Sequence, residues 1–170
     1  MVPQSVPDVM HNLQILSLYI QRMPKGYGSE FGHPADYAYW SVCSPSCHDM
    51  STVRGWWEED RPRAQRFYNQ ILGHYGEAPL FCENWIVEEI VVQHLYSPSM
   101  WAVFPIQDLL GIDNDLRREN PTHEQINDPS NGTHYWRYRF HINIETLCEA
   151  KNLNGRLYSM VAKTGRMKCY

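Results

Sequence analysis

The sequence predicts an α/β fold in which βα units build a parallel sheet. Three short apolar runs, 15–23, 37–43 and 100–106, are closed by glycine, proline or polar turn residues, as strands are. Between and after them apolar residues recur at helical spacing, most plainly at Trp85, Ile86, Ile90, Val91 and Leu95. With 170 residues, 43 % of them hydrophobic, the chain can enclose the core of one domain at most.

Taken in order, residues 7–13 read as a short helix, with Pro7 in its first turn and Val9, Met10 and Leu13 on one face. The apolar run 15–23 is a strand, ended by Pro24-Lys25-Gly26. Three glycines and a proline make 26–36 a loop, and Tyr37 to Cys43 is the next strand. Helices follow over 52–60 and 63–72, separated at Arg61-Pro62. A longer helix over 83–96 buries the face listed above, with Trp85 and Trp101 expected in the core. The third strand, 100–106, leads into a turn at 108–112. An Asn-, Asp- and Pro-rich loop then spans 113–133, and a helical stretch 143–163.

Composition narrows the function classes. No run of about 18 apolar residues is present, so no membrane span is expected. Met1 to Asp8 lacks both the basic start and the apolar centre of a signal peptide. Five cysteines, at 43, 47, 82, 148 and 169, are odd in number and unevenly spaced, which fits a reducing cytoplasm better than a disulfide framework. Asn131-Gly132-Thr133 is then an ordinary polar turn. Residues 151–170 hold five bases and no acid, while residues 1–150 hold ten bases against all nineteen acids. Five spread charges at helical spacing are a solvated face, and an acidic body argues against nucleic acid. Cys43, Cys47 and His48 lack a fourth ligand for zinc, and no cofactor motif appears.

The chemistry-bearing stretch is Ser44-Pro45-Ser46-Cys47-His48-Asp49-Met50-Ser51-Thr52, running into Arg54-Gly55-Trp56-Trp57. Asp49 stands where a strand gives way to a loop and helix, the mouth of a βα unit where α/β enzymes place their chemistry. An Asp there can equally cap the helix. The Trp56-Trp57 pair suits a sugar, whose apolar faces accept flat rings. Asn127, in Ile126-Asn127-Asp128-Pro129, can offer its amide to a ligand or bond its own backbone in a turn.

Five blocks in order resemble the 4-α-glucanotransferases (amylomaltases, disproportionating enzymes), above all their cytosolic plant and protist branch. They are Ile20-Gln21-Arg22-Met23-Pro24, the Cys47-His48-Asp49 block with Trp56-Trp57, Ser97 through Leu110, Ile126 through Pro129, and His134 through Arg139. Met50-Ser51-Thr52 departs from the Asn-Asp-Thr of the bacterial pattern and matches that branch. The resemblance implies a (β/α)8 barrel, of which residues 1–170 would be the incomplete C-terminal part. A closed barrel needs eight strands and typically about 250 residues. It also implies transfer of α-1,4-glucan units between maltooligosaccharides or glycans, with retention and without a cofactor. Asp49 would stabilise the transition state, while His48 and Asn127 would bind substrate. Asp108, in Pro105-Ile106-Gln107-Asp108, would be structural, at the end of the eighth strand.

Retention requires a nucleophile and a general acid/base about 5 to 5.5 Å apart. In the family the acid/base sits in a Glu-Asp-Leu-Gly motif and the nucleophilic Asp lies earlier; neither motif occurs here, and Met1-Val2-Pro3 reads as an internal start just past that Glu. The alternative is an inactive fragment that binds glucan weakly through Asp49, His48 and Trp56 or docks on a partner.

Overall fold

The computed structural model describes residue 3 and residues 5–167. The readings placed on Met1, Val2, Lys168 and Cys169 lie outside the described residues. Helix α1 (Val6–Asn12) is followed by strand β1 (Ser17–Ile20), a 3-10 turn (Pro34–Asp36) and strand β2 (Ser41–Ser44). Then come helices α2 (Val53–Glu59), α3 (Arg61–Gln70) and α4 (Asn84–Leu95), and strand β3 (Trp101–Ala102). Helix α5 (Ile106–Leu110), a second 3-10 turn (Pro121–Glu124), and helices α6 (Ile144–Glu149) and α7 (Lys151–Lys163) complete the order.

The strands form one parallel sheet in the order β1-β2-β3, with Ser17 opposite Ser41 and Val42 opposite Trp101. Alternation of side chains divides this sheet into two faces. One carries Ser41 and Cys43 against the end of α4: the Ser41 and Ser99 hydroxyls bond at 2.8 Å, and Cys43 Sγ lies 3.2 Å from Ser97 Oγ. The other carries Leu18, Val42 and Trp101 in register, with Leu18 62 % and Trp101 60 % exposed. Trp101 is therefore not the core residue expected of it but stands largely exposed on this face.

The core lies on the helix-covered side. Trp57, Phe67, Ile86, Ile90, Leu110 and Ile112 are fully buried there, joined by Leu153 and Met160 of α7. Each such side chain contributes roughly 1.5–3 kcal/mol by leaving water. Helix α4 buries Ile86, Val87, Ile90, Val91, His94 and Leu95, so it is packed on more than one side. Trp85, expected in that face, points outward at 39 % exposure beside His74 and Tyr68. The His94 Nδ1–H donates to Ile90 O at 2.7 Å, which fixes the tautomer, and burial holds its pKa down to about 4.

The element borders shift for local reasons. Strand β2 begins at Ser41 and not at Tyr37, because the chain leaves the 3-10 turn at Tyr37, whose ring stacks on Tyr19 at 4.6 Å. Strand β3 is only two residues, since Pro105 stands immediately before α5 and 106–110 coil into a helix. The break expected at Arg61-Pro62 falls at Asp60, whose Oδ1 accepts from Arg63 N at 2.9 Å, while Pro62 sits in the first turn that follows. The C-terminal helical stretch divides at Ala150.

The basic C-terminal segment is not merely a solvated face. Arg166 donates to Leu95 O, Ser97 O and Ser99 O at 2.6–2.8 Å, closing the carbonyl end of α4, and Arg156 ties Glu88 to Ile112 O.

Candidate active site

The loop between β2 and α2 is built around its two ends. Thr52 caps α2, its Oγ1 accepting from Gly55 N at 3.2 Å, so capping is not the task of Asp49. Gly55 keeps this turn uncrowded: a Cβ there would lie 3.2 Å from Ser51 Cβ, a tight contact that Ser51 would have to relieve. Asp108, 1 % exposed, holds both ends of the loop with one carboxylate. Its Oδ1 accepts from Val53 N at 2.8 Å and its Oδ2 from the Ser46 hydroxyl. The resemblance had placed Asp108 at a strand end bonding its neighbours; it stands instead on α5 and reaches across to another loop. Burial raises its pKa, against the pull of the Ser46 and Val53 donors and the charge of Arg22.

Arg22, just beyond β1, donates to Ser51 O and Thr52 O. Burial lowers its pKa to about 10, which leaves the guanidinium charged at neutral pH. Thr52 also donates from Oγ1 to Glu124 Oε2 at 3.0 Å, and Glu124 Oε1 accepts from Arg54 at 2.5 Å. This Arg54–Glu124 pair is almost wholly buried. Burial pushes Glu124 up, while the Arg54 charge and the two donors pull it down.

Held by these contacts, the loop presents Asp49 beyond the C-terminal end of β2. Asn127 Nδ2 donates to Asp49 Oδ1 at 2.7 Å, and His48 Nε2 lies 3.2 Å from Asp49 Oδ2. The Asn127 side chain is thus spent on a residue 78 positions away and not on its own backbone. Thr52 meets Glu124 three residues beyond Asp49 and three before Asn127, so two short segments are joined at both ends. That ring fixes the Asp49–Asn127 distance. Asp49 and His48 remain about half exposed, so a ligand can reach both. A cavity of about 150 Å³ opens beside His48, lined by Ser46, Cys47, Met50, Thr52 and Gln107 among others.

Two aromatic expectations need correction. Trp56 is only 7 % exposed, packed edge-on against Phe31 and Phe67 with the Arg63 guanidinium 4.7 Å over its ring. Trp57 is more deeply buried and donates to Pro79 O. Neither can receive a sugar. The exposed ring at the site is Trp136, whose centroid lies 5.5 Å from that of His48. Its block had been noted, but nothing local in the sequence ties it to a residue 88 positions earlier. Among the described residues no three His, Cys, Asp or Glu side chains gather as a metal site would, and Cys43, Cys47, Cys82 and Cys148 are free thiols. No described helix is long and apolar enough to cross a membrane.

Comparisons with known proteins give the chain a family and a fold. The family model described as 4-alpha-glucanotransferase matches residues 1–145. The 4-alpha-glucanotransferase DPE2 of Oryza sativa subsp. japonica is 43 % identical over 166 residues, covering 98 % of this chain and 18 % of its own length. The 4-alpha-glucanotransferase of Chlamydia trachomatis is 30 % identical over 162 residues, 94 % of this chain and 30 % of that protein. In fold, the chain is similar to the amylomaltase from Streptococcus agalactiae solved in complex with acarbose. That similarity has a TM-score of 0.73 at 16 % identity, covering 99 % of this chain and 31 % of that one. The chain thus spans between 18 % and 31 % of the length of these proteins. It belongs to the 4-alpha-glucanotransferase family, glycoside hydrolase family 77.

Proposed function

We propose that residues 1–170 are the C-terminal part of the (β/α)8 catalytic domain of a cytoplasmic 4-α-glucanotransferase. The enzyme would move α-1,4-glucan units between maltooligosaccharides or a soluble glycan, in starch, glycogen or maltose metabolism. The observation that carries this reading is Asp49, solvent-accessible beyond the end of β2 and bonded at 2.7 Å by Asn127 from a distant loop. The bare sheet face at Leu18 and Trp101 supports it too, since further strands closing a barrel would cover those side chains. Free thiols fit the reducing cytoplasm.

In this reading the glycosyl centre gains positive charge as the leaving oxygen departs, and Asp49 faces it as a fixed anion. Asn127 holds one carboxylate oxygen and so orients the other. His48 presents a ring nitrogen to a sugar hydroxyl. The nucleophile and the general acid/base come from the part of the enzyme that these residues do not include. The inactive-fragment alternative loses its stacking group, because Trp56 is buried.

The test is Asp49→Asn in a complete enzyme containing this segment. Turnover should fall by roughly 10²–10³-fold, about 3–4 kcal/mol of transition-state stabilisation, with maltooligosaccharide affinity little changed. Turnover within a few-fold of the unaltered enzyme would refute the assignment. Expressed alone, residues 1–170 should not disproportionate maltotriose, and sustained glucose release by the purified chain would overturn the partial-domain reading.

A further inference from the structure

We propose that Trp136 is the stacking platform of a glucan subsite beside Asp49, taking the apolar face of one glucose ring of an α-1,4-glucan. This rests on the function proposed above and names a contact that the carboxylate chemistry does not require. A glucose unit has two kinds of surface. Its hydroxyl edges need hydrogen-bond partners, which His48 and Asp49 supply, the latter oriented by Asn127, and its C–H faces need a flat apolar partner. Trp136 is that partner by position: its indole lies 5.5 Å from the His48 imidazole, inclined at 46°, and is 64 % exposed.

The segment around it is anchored while the ring is left open. His134 Nε2 donates to Ile126 O at 3.0 Å, one residue before Asn127, which ties the platform to the loop that bonds Asp49. On the other side Arg137 lies 4.8 Å over the Tyr135 ring, and Arg118 donates to Arg139 O at 3.1 Å. Among the described residues no hydrogen bond or core packing absorbs the indole, so its face is open on the side of His48. Trp40, Trp85 and Trp101, the other exposed indoles, make no ring contact with His48 among the described residues.

The experiment titrates a complete enzyme containing this segment with acarbose, maltotriose and, as a β-linked control, cellotriose. Binding is followed by calorimetry and by the ¹⁹F resonance of Trp136 in protein labelled with 5-fluorotryptophan. The expected result is a maltotriose-dependent shift of the Trp136 resonance. Trp136→Ala should weaken maltotriose roughly five- to tenfold, and Trp136→Phe should restore most of that loss. Asn127→Ala serves as a control for the polar side of the site. If Trp136→Ala leaves affinity unchanged while Asn127→Ala weakens it, the platform is overturned and the site reading stands. If acarbose and maltotriose bind the complete enzyme but neither shifts the Trp136 resonance, the platform is overturned and the site reading stands; if neither ligand binds at all, both are overturned. Binding equally tight for cellotriose also overturns the platform, since its geometry would then not select the α-linked chain.

Discussion

The groups in front of Asp49 and the groups behind it live in opposite surroundings. In front, His48, Asp49 and Trp136 are half exposed or more, and they touch one another through single contacts. Behind, Asp108, Glu124 and Arg54 are almost fully buried and each holds two or more partners. Water screens the first set, so its charges do little for the fold. The second set sits where an unpaired charge would be intolerable. Exposed and supporting groups are thus separated, and substitutions should separate in the same way.

The largest effect on the fold should come from Glu124→Ala, which strands the buried Arg54 guanidinium. A loss of about 3–5 kcal/mol is expected, read as a lowered urea midpoint. The paired change Arg54→Met with Glu124→Leu removes both charges and should recover most of that stability. It should not recover the Asp49–Asn127 contact, because Thr52 no longer has a carboxylate to bond. If the paired variant is as unstable as the single one, the buried pair is not what links the two loops.

Next in size is a dependence on pH behind the site. His94 has its folded pKa held down to about 4, whereas an unfolded histidine titrates near 6.5. The unfolded chain therefore takes up a proton first, so stability falls as pH drops from about 6.5 towards 4. The full effect is about 3 kcal/mol. Asp108 and Glu124 act in the opposite sense: burial raises both, so their contributions are present at low pH and fade as pH rises through their folded values. His94→Gln should remove the loss between pH 6.5 and 4 and leave the other slope. An unchanged profile in that variant would show that His94 is not the acid-sensitive group.

The smallest effect belongs to the junction of the two sets. Thr52→Ala removes the α2 cap and the bond to Glu124, at a cost of about 1–2 kcal/mol in stability. In a complete enzyme turnover should fall further than that cost explains, because the Asp49 loop loses a tether. Turnover unchanged at a temperature where the variant stays folded would show that front and back are independent.

How much of this could be read from the sequence follows from the range of each interaction. The three strands and α4 were legible because apolar runs and turn residues act within a few positions. So was the placement of Asp49 between a strand and a helix. Its partner Asn127 was reached only through the order of family blocks, since nothing in either local sequence encodes a contact across 78 residues. Trp56 misled for the same reason: its composition fits a sugar, but Phe31 and Phe67 claim it. Arg22, Glu124 and Trp136 escaped because a buried charge or a presented ring is defined by the neighbours that folding brings. The basic C-terminal segment was misread on charge alone, as Arg166 bonds carbonyls that no charge count reveals.

The two pairings of the sheet differ in range. The first pairing joins Ser17 to Ser41 and the second joins Val42 to Trp101, so the intervening chain is 24 residues in one case and 59 in the other. Closing the longer loop costs about 0.8 kcal/mol more in chain entropy. It also yields fewer ladder contacts, because β3 is only two residues long. The β1–β2 pairing is therefore the more local and the better bonded of the two. The Asp49 loop, anchored at its start to β2, depends for its far end on Asp108, from beyond β3.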